Sequence, residues 1–284
     1  MLYSPILAGS SSNNWTLTLS ADEANVNLKT KLEGVYGTMV SKVTATVTIA
    51  AGVEIYSASP GTAALDTGTG WPSGSSLTIV NEGHIYGAGG VGASFNGAGS
   101  VGGDAITLRM ATRINNTLGQ IFSGGGGGGA SGTLEHRLGW TGSFWYYWNE
   151  GDPLNDPPAH AYGAGGGGRG RNGGVGGTGD TGHGASNGAN GSPSAPGSGS
   201  GGVDNGLSGG AGGDWGSTGS AGGNNGFSDP TWDHSEAGAG KHWRVSGREY
   251  GSNGYAAGCA VRRNGNSVTW LGGYNGTQVK GAVS

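Results

Sequence analysis

Gly163-Ala-Gly-Gly-Gly-Gly-Arg-Gly-Arg-Asn-Gly-Gly-Val-Gly-Gly-Thr-Gly-Asp-Thr-Gly182 sets the reading of the whole chain. Glycine occupies positions 167, 170, 173, 176, 179 and 182, and the rhythm returns at 210, 213, 216, 219 and 222. A period of three with glycine in phase suits an extended helix of the polyproline-II type, because one face of every turn then meets a neighbouring backbone with no side chain between them. Collagen is excluded: the chain has 9 prolines, and the phase changes between short runs. The pattern predicts short glycine helices packed side by side with turns between them. Unbroken, the run from 167 to 182 would reach roughly 50 Å at ~3.1 Å per residue.

Composition separates this pattern from disorder. With 68 glycines and only 11% charged residues among 284, an aperiodic chain would be read as low-complexity. The period, together with 9 Trp, 10 Tyr and 4 Phe, argues for a folded object. A net charge of −4 gives no electrostatic footprint for nucleic acid or an anionic membrane. A single cysteine, Cys259, excludes an internal disulfide and a Cys-rich metal site. The first residues show no secretory signal, and no apolar run is long enough to span a bilayer.

Upstream of the glycine runs the pattern changes. Ser20-Ala-Asp-Glu23 has the form of a capping box, and Ala24, Leu28 and Leu32 follow at helical spacing, with Gly34 as a stop. From Lys42 to Ile49 apolar and polar residues alternate, which predicts a half-buried strand. The motif Thr48-Ile49, a turn at Gly52, then Ile55-Tyr56-Ser57 recurs as Thr78-Ile79, Gly83, Ile85-Tyr86-Gly87. It returns as Thr107-Leu108, then Gly119, Ile121-Phe122-Ser123, and in degenerate form as Thr269-Trp270, then Gly276 and Val279. Repeats at this spacing stack as solenoid coils. The second and third copies run directly into glycine. The expected fold is mostly β and irregular: an N-terminal β-rich region with a short helix and stacked strand repeats, then a sandwich of packed polyglycine-II helices with long loops.

Such a sandwich has unusual energetics. Ordering a residue costs roughly 1–2 kcal/mol of backbone entropy, and glycine loses the most. An extended helix of this type makes no internal hydrogen bonds, so compensation has to come from bonds and Cα–H contacts between neighbours. Only a lateral bundle satisfies the backbone, and its connecting turns would emerge at its two ends.

Those turns carry the candidate binding residues. One insert holds Trp140, Phe144, Trp145, Tyr146, Tyr147, Trp148 and Asn149, followed by Glu150, Asp152 and Asp156 among prolines. A second, residues 224–250, holds Phe227, Trp232 and Trp243. Amphipathic rings on surface loops concentrate binding energy at interfaces, although Trp and Tyr also anchor local cores. A third stretch, residues 183–207, is polar and reads as a loop that either offers adaptable hydrogen bonds or is simply mobile.

Enzyme signals are weak. GxGxxG matches are numerous in so glycine-rich a chain, and none opens a helix after a strand. Gly238-Ala-Gly-Lys241 fails as a P-loop, because the Ser/Thr position is His242. The histidines lack metal spacing, and no cofactor is expected. Glu150, Asp152 and Asp156 keep a glycosidase reading open, so a polysaccharide-binding or depolymerising protein stands as the alternative.

The ordered series Ile79-Val-Asn-Glu-Gly-His-Ile85-Tyr-Gly-Ala-Gly-Gly90, Gly103-Asp-Ala-Ile-Thr-Leu108, Arg113-Ile-Asn-Asn116, Gln120-Ile-Phe-Ser-Gly-Gly, Tyr162-Gly-Ala-Gly-Gly-Gly-Gly168, Gly212-Gly-Asp-Trp215 and Asn264-Gly-Asn-Ser-Val-Thr-Trp270 resembles the glycine-rich receptor-binding adhesins of tailed bacteriophages. The likeness is strongest to the adhesins at the tip of T-even-type long tail fibres and covers residues 77–284. It implies a polyglycine-II sandwich whose variable loops recognise an outer-membrane protein or surface glycan of the bacterium. It also implies a receptor-binding domain at 77–284, an attachment region at 1–76 that joins a tail or fibre protein, and a place at the tail tip of the virion. By position, residues 140–160 and 224–250 would be specificity loops. Residues 1–76 look more like an N-terminal module of other phage tail proteins. A monomer on a trimeric fibre and a homotrimer both fit.

Overall fold

The computed structural model describes residues 13–95, 97–131, 136–140, 145–147, 163–181, 185–202, 208–223, 242–246 and 251–284. Strand rather than helix dominates, with one α-helix among the described residues.

The alternation read at Lys42–Ile49 is one strand of a five-coil parallel solenoid with three sides. The first side stacks β1 (Asn13–Leu19), β4 (Val43–Ile49), β7 (Ser76–Asn81), β10 (Thr112–Asn115) and β16 (Val268–Gly272). The second stacks β2 (Glu23–Ala24), β5 (Glu54–Tyr56), β8 (His84–Tyr86), β11 (Gln120–Phe122) and β17 (Val279–Lys280). The third stacks β3 (Val26–Asn27), β6 (Leu65–Asp66), β9 (Ile106–Thr107), β15 (Cys259–Arg262) and β18 (Ala282–Val283). Register turns apolar residues inward at matching levels on each side. Val47, Ile79 and Ile114 form one ladder, Ile55, Ile85 and Ile121 a second, Leu65, Ile106 and Val261 a third, and all are fully buried. Each such side chain contributes about 1.5–3 kcal/mol of burial. The sheets take strands from both sides of residue 76 and from the end of the chain.

The repeat expected from sequence holds at Ile55, Ile85, Ile121 and Val279, which share one level. Its first half is shifted. Val47, not Ile49, lies beside Ile79, and the third coil's partner is Ile114, while Thr107 belongs to the third side beside Asp66. Corners of different length between the sides broke the alignment.

The helix also differs from expectation. Helix α1 is Leu28–Tyr36, capped by Asn27, whose side chain accepts from the Thr30 N–H at 3.1 Å. Glu23, expected in a capping box, lies in β2, and its carboxylate pairs with Lys31 at 2.5 Å. The third side needs Val26 in the core, and Asn25 turns the chain with φ 52, so tertiary packing overrides the local cap. Gly34 sits inside the helix, and the stop is Gly37 at φ 85. Leu28 and Leu32 close the first coil's core, and the Tyr36 hydroxyl bonds both the N–H and the carbonyl of Thr16 on the edge of β1. That blunts an edge otherwise free to pair.

The glycine runs are inserted at one corner of the solenoid, between β8 and β9 and between β11 and β15. Residues 87–93, 124–131, 173–179, 197–201 and 217–223 run outward, and 98–103, 163–169, 186–192, 208–213 and 251–258 return. None is α-helix, and apart from an isolated bridge between Ser94 and Gly97 near one turn none is strand. Their backbones pair between segments. The N–H groups of Gly124, Gly125 and Gly126 donate to Gly103, Arg169 and Ser217, and those of Gly127, Gly128 and Gly129 donate to Ser100, Gly166 and Ser220. The same segments therefore recur every third residue. The carbonyls repeat likewise, accepting from Gly258, Gly90 and Gly213 and then from Tyr255, Ala93 and Gly210.

This pairing explains the glycine spacing. Residues 124–129, surrounded on all sides, are glycine at every position and fully buried. In residues 173–179 every third position faces out, which admits Val175 and Thr178. At the rim, 217–223 buries only Gly219 and Gly222. The run from 167 to 182 is not one long helix: the chain reverses around Arg169–Gly173, where Gly174 N–H donates back to Gly168.

Side chains pin this array to the solenoid. Trp215 stacks on Tyr86 at 5.1 Å and lies 5.8 Å from Phe122. Arg171 pairs with Glu54 and lies over Tyr56 at 4.9 Å, while Asn172 donates to the Ser57 carbonyl. Arg169 holds Asp214 at 2.7 Å and covers Trp215, and Lys280 covers Phe122. Burial, and secondarily Glu54, pushes the Tyr86 phenol up to about 12. Burial opposes ionisation of Asp214, yet the Trp215 N–H and the Arg169 guanidinium hold its carboxyl below the usual range.

Candidate receptor-binding edge

Because the array leaves the solenoid at one corner, its turns fall into two sets. Those at 169–173, 192–195 and 214–217 lie at the solenoid. The far set is marked by the array ends at 95 and 97, 131 and 163, 181 and 185, 202 and 208, and 223 and 251, displaced by the length of residues 124–131, roughly 20 Å at ~3.1 Å per residue. Both aromatic inserts leave and rejoin the array at ends of the far set, 131 and 163 for the first and 223 and 251 for the second.

Serines secure this edge. Ser131 N–H donates to the Gly163 carbonyl, and Gly163 N–H returns a bond to the Ser131 hydroxyl, both at 2.9 Å, closing the base of the first insert. The second insert is closed by Gly222 N–H donating to the Ser252 carbonyl at 3.0 Å. Ser252 ties the two bases together: its N–H donates to the Ala130 carbonyl, and its hydroxyl accepts from Ala130 N–H at 2.8 Å. The Ser200 hydroxyl accepts from Ala164 N–H at 2.7 Å in the same way. Where a segment runs out of neighbours, a serine side chain replaces the missing backbone partner, consistent with the need to satisfy buried backbone groups. Sequence reading missed these serines; their signal is a Ser directly beside the last Gly or Ala of a run.

The inserts meet in a fourth, antiparallel sheet. β12 (His136–Trp140) pairs with β13 (Trp145–Tyr147) on one side and with β14 (His242–Ser246) on the other. Trp140 stands opposite Trp145 and His242, Gly139 opposite Tyr146 and Trp243, and Leu138 opposite Tyr147 and Arg244. Trp140, Trp145, Tyr146, Tyr147 and Trp243, drawn from inserts about a hundred residues apart in sequence, thus share one three-stranded sheet. Phe144, Trp148, Asn149, Phe227 and Trp232 lie outside the described residues, as do Glu150, Asp152 and Asp156.

The polar stretch 183–207 is not one loop. Within it, residues 186–192 and 197–201 are array segments, with Gly188, Gly191 and Gly197 donating to Gly177, Gly174 and Gly167. Ser and Pro at the reversal around 192–195 had obscured the glycine spacing. Among the described residues no cluster of His, Cys, Asp and Glu could hold a metal, and no helix is long and apolar enough to cross a membrane.

Comparison with known proteins agrees with this architecture. A solved structure, the gp37-gp38 adhesin tip complex of the bacteriophage S16 long tail fibre, matches with a TM-score of 0.57 and 25% identity over 96% of this chain and 82% of the other. No curated protein sequence matches significantly. The family model of the phage tail fibre adhesin Gp38 matches residues 14–284, so the chain belongs to the Gp38 family of phage tail fibre adhesins.

Proposed function

We propose that this adhesin binds a bacterial outer-membrane receptor, protein or glycan, through the far edge of the glycine array, and so mediates host recognition and adsorption. The carrying observation is that the two longest inserts emerge side by side at that edge and pair in one sheet containing Trp140, Trp145, Tyr146, Tyr147 and Trp243. Beneath them, the three-residue rotation of hydrogen bonds supports a polyglycine-II sandwich. A base held by a dense backbone lattice lowers the ordering cost that a binding loop would otherwise bear. Aromatic anchors then supply most of the affinity.

In this reading the chain is non-enzymatic and sits at the tip of the tail fibre, with residues 1–76 as the region that attaches to another tail or fibre protein. The relative's structure, a complex of gp37 with gp38, supports a fibre partner of that kind.

Replacing Trp145 and Trp148 together by alanine is expected to lower adsorption to susceptible cells by at least tenfold while the melting temperature of the purified protein stays within about 2 °C of wild type. Adsorption at the wild-type rate by the double variant would remove the inserts from the binding surface.

A further inference from the structure

A cleft of about 460 Å³ lies on the outer face of the solenoid's third side, away from the far edge of the array. We propose that it is a second ligand site, one that takes a neutral, hydroxyl-rich saccharide of the bacterial surface. This goes beyond the reading of the aromatic inserts and does not depend on it; it requires that attachment through residues 1–76 leave this face of the solenoid open.

Strand register builds the cleft. Asn27, Asp66, Thr107 and Arg262 are consecutive partners across β3, β6, β9 and β15, so each coil presents one polar group to the same line. Four coils at the ~4.8 Å spacing of neighbouring strands give a groove roughly 14 Å long. A linear chain of sugar rings, each about as long as one such step, fits a surface that repeats in this way.

The charges select against other ligands. Asp66 binds Arg109 Nε at 3.1 Å, and Asp104 takes the Arg262 guanidinium in a two-point contact. The lining carboxylates and guanidiniums therefore cancel, leaving no net field to concentrate a phosphate or a metal ion. What remains is hydrogen-bonding capacity. Arg109 bonds through Nε alone, which leaves both terminal nitrogens without a partner among the described residues. Arg262 uses Nε and Nη2 and leaves Nη1. Asn27 uses its side-chain oxygen on Thr30 N–H, and Asn25 uses its own on Ala58 N–H and Thr62, leaving both amide nitrogens to donate. Fixed donors flanked by carboxylates suit hydroxyl groups, which both accept and donate. The volume falls within the usual range for small-ligand sites. Asn27, Asp66, Thr107 and Arg262 are held by the stacked strands, so the floor of the cleft needs no reorganisation on binding.

The test is a titration of the purified full chain with dephosphorylated core oligosaccharide from the lipopolysaccharide of a susceptible host, followed by saturation-transfer NMR. Arg109→Met removes the free guanidinium donors and keeps the stem, and Thr62→Trp fills the rim from an exposed position. Circular dichroism and melting temperature confirm that both variants fold. Saturable binding by the wild type, weakened at least tenfold by each variant and unchanged by the Trp145→Ala, Trp148→Ala pair, is the expected result. No saturable binding by the wild type, or binding that survives both folded variants, overturns the proposal. Loss of saccharide binding in the insert variant alone overturns it as well, by moving the glycan contact to the array edge.

Discussion

The solenoid and the glycine array solve the same problem by opposite means. In the solenoid, side chains hold the chain: the continuous apolar core draws its members from the coils and the α1 region and, among the described residues, takes none from 124–258. In the array the buried residues are mostly glycine and alanine, and backbone bonds do most of the holding. Each array residue costs roughly 1–2 kcal/mol to order. It recovers about 0.5–1.5 kcal/mol from a net hydrogen bond and about 0.5–1 kcal/mol from Cα–H contacts. Small gains per residue make such a lattice depend on completeness, whereas a hydrophobic ladder tolerates partial loss. The difference predicts how each region breaks.

The largest effect is expected in the middle of the array. At Gly127 a Cβ would run into the carbonyl of Val91, backbone that cannot step aside without disturbing its own neighbours. Gly127→Val should destabilise by more than about 4 kcal/mol, the exceptional end for single substitutions. Gly276→Val, where a Cβ meets nothing within 4 Å, should leave thermal unfolding unchanged. Equal melting temperatures for the two variants would show that the lattice is looser than its hydrogen bonds imply.

Next comes the junction. Trp215, 7% exposed between Tyr86, Phe122 and Arg169, joins the two regions. Trp215→Ala should cost about 3–5 kcal/mol, as for other buried tryptophans. It should also separate array unfolding from solenoid unfolding into two calorimetric transitions. A single transition at the wild-type midpoint would mean that the backbone bonds alone couple the regions.

The smallest effect is a pH dependence. Tyr86 has its phenol raised to about 12 in the fold against about 10 unfolded, so the folded state resists ionisation. A raised value gives stability that is complete below pH ~10 and is lost as pH rises toward ~12. Tyr86→Phe should flatten that alkaline decline in denaturant midpoints, and an unchanged slope would place the titration elsewhere.

Much of this was legible in the sequence, for physical reasons. The alternation from Lys42 to Ile49 fixes which residues face inward, because strand geometry turns every second side chain the same way. Ile55, Ile85 and Ile121 read as one ladder because their coils share a Gly turn followed by an apolar-aromatic pair. The glycine period encodes hydrogen-bond partners that recur every third residue, since only glycine survives where another backbone touches. Other features resisted. Glu23 obeys a local capping rule that the buried Val26 overrides. The short segments at 186–192 and 197–201 hide behind Ser and Pro.

The sequence alone determined that two kinds of structure exist, one held by apolar side chains and one by backbone, and that aromatic residues sit in the interruptions of the second. Tertiary structure alone decided how they are arranged. Nothing local tells residues 259–262 that they complete a coil begun before residue 123, or residues 268–283 that they add a fifth, because parallel strands pair through contacts distant in sequence. Nothing local places residues 140 and 242 on the same rung. Each glycine segment specifies that it needs neighbours, and only the packed array specifies which neighbours they are and therefore at which edge the inserts meet.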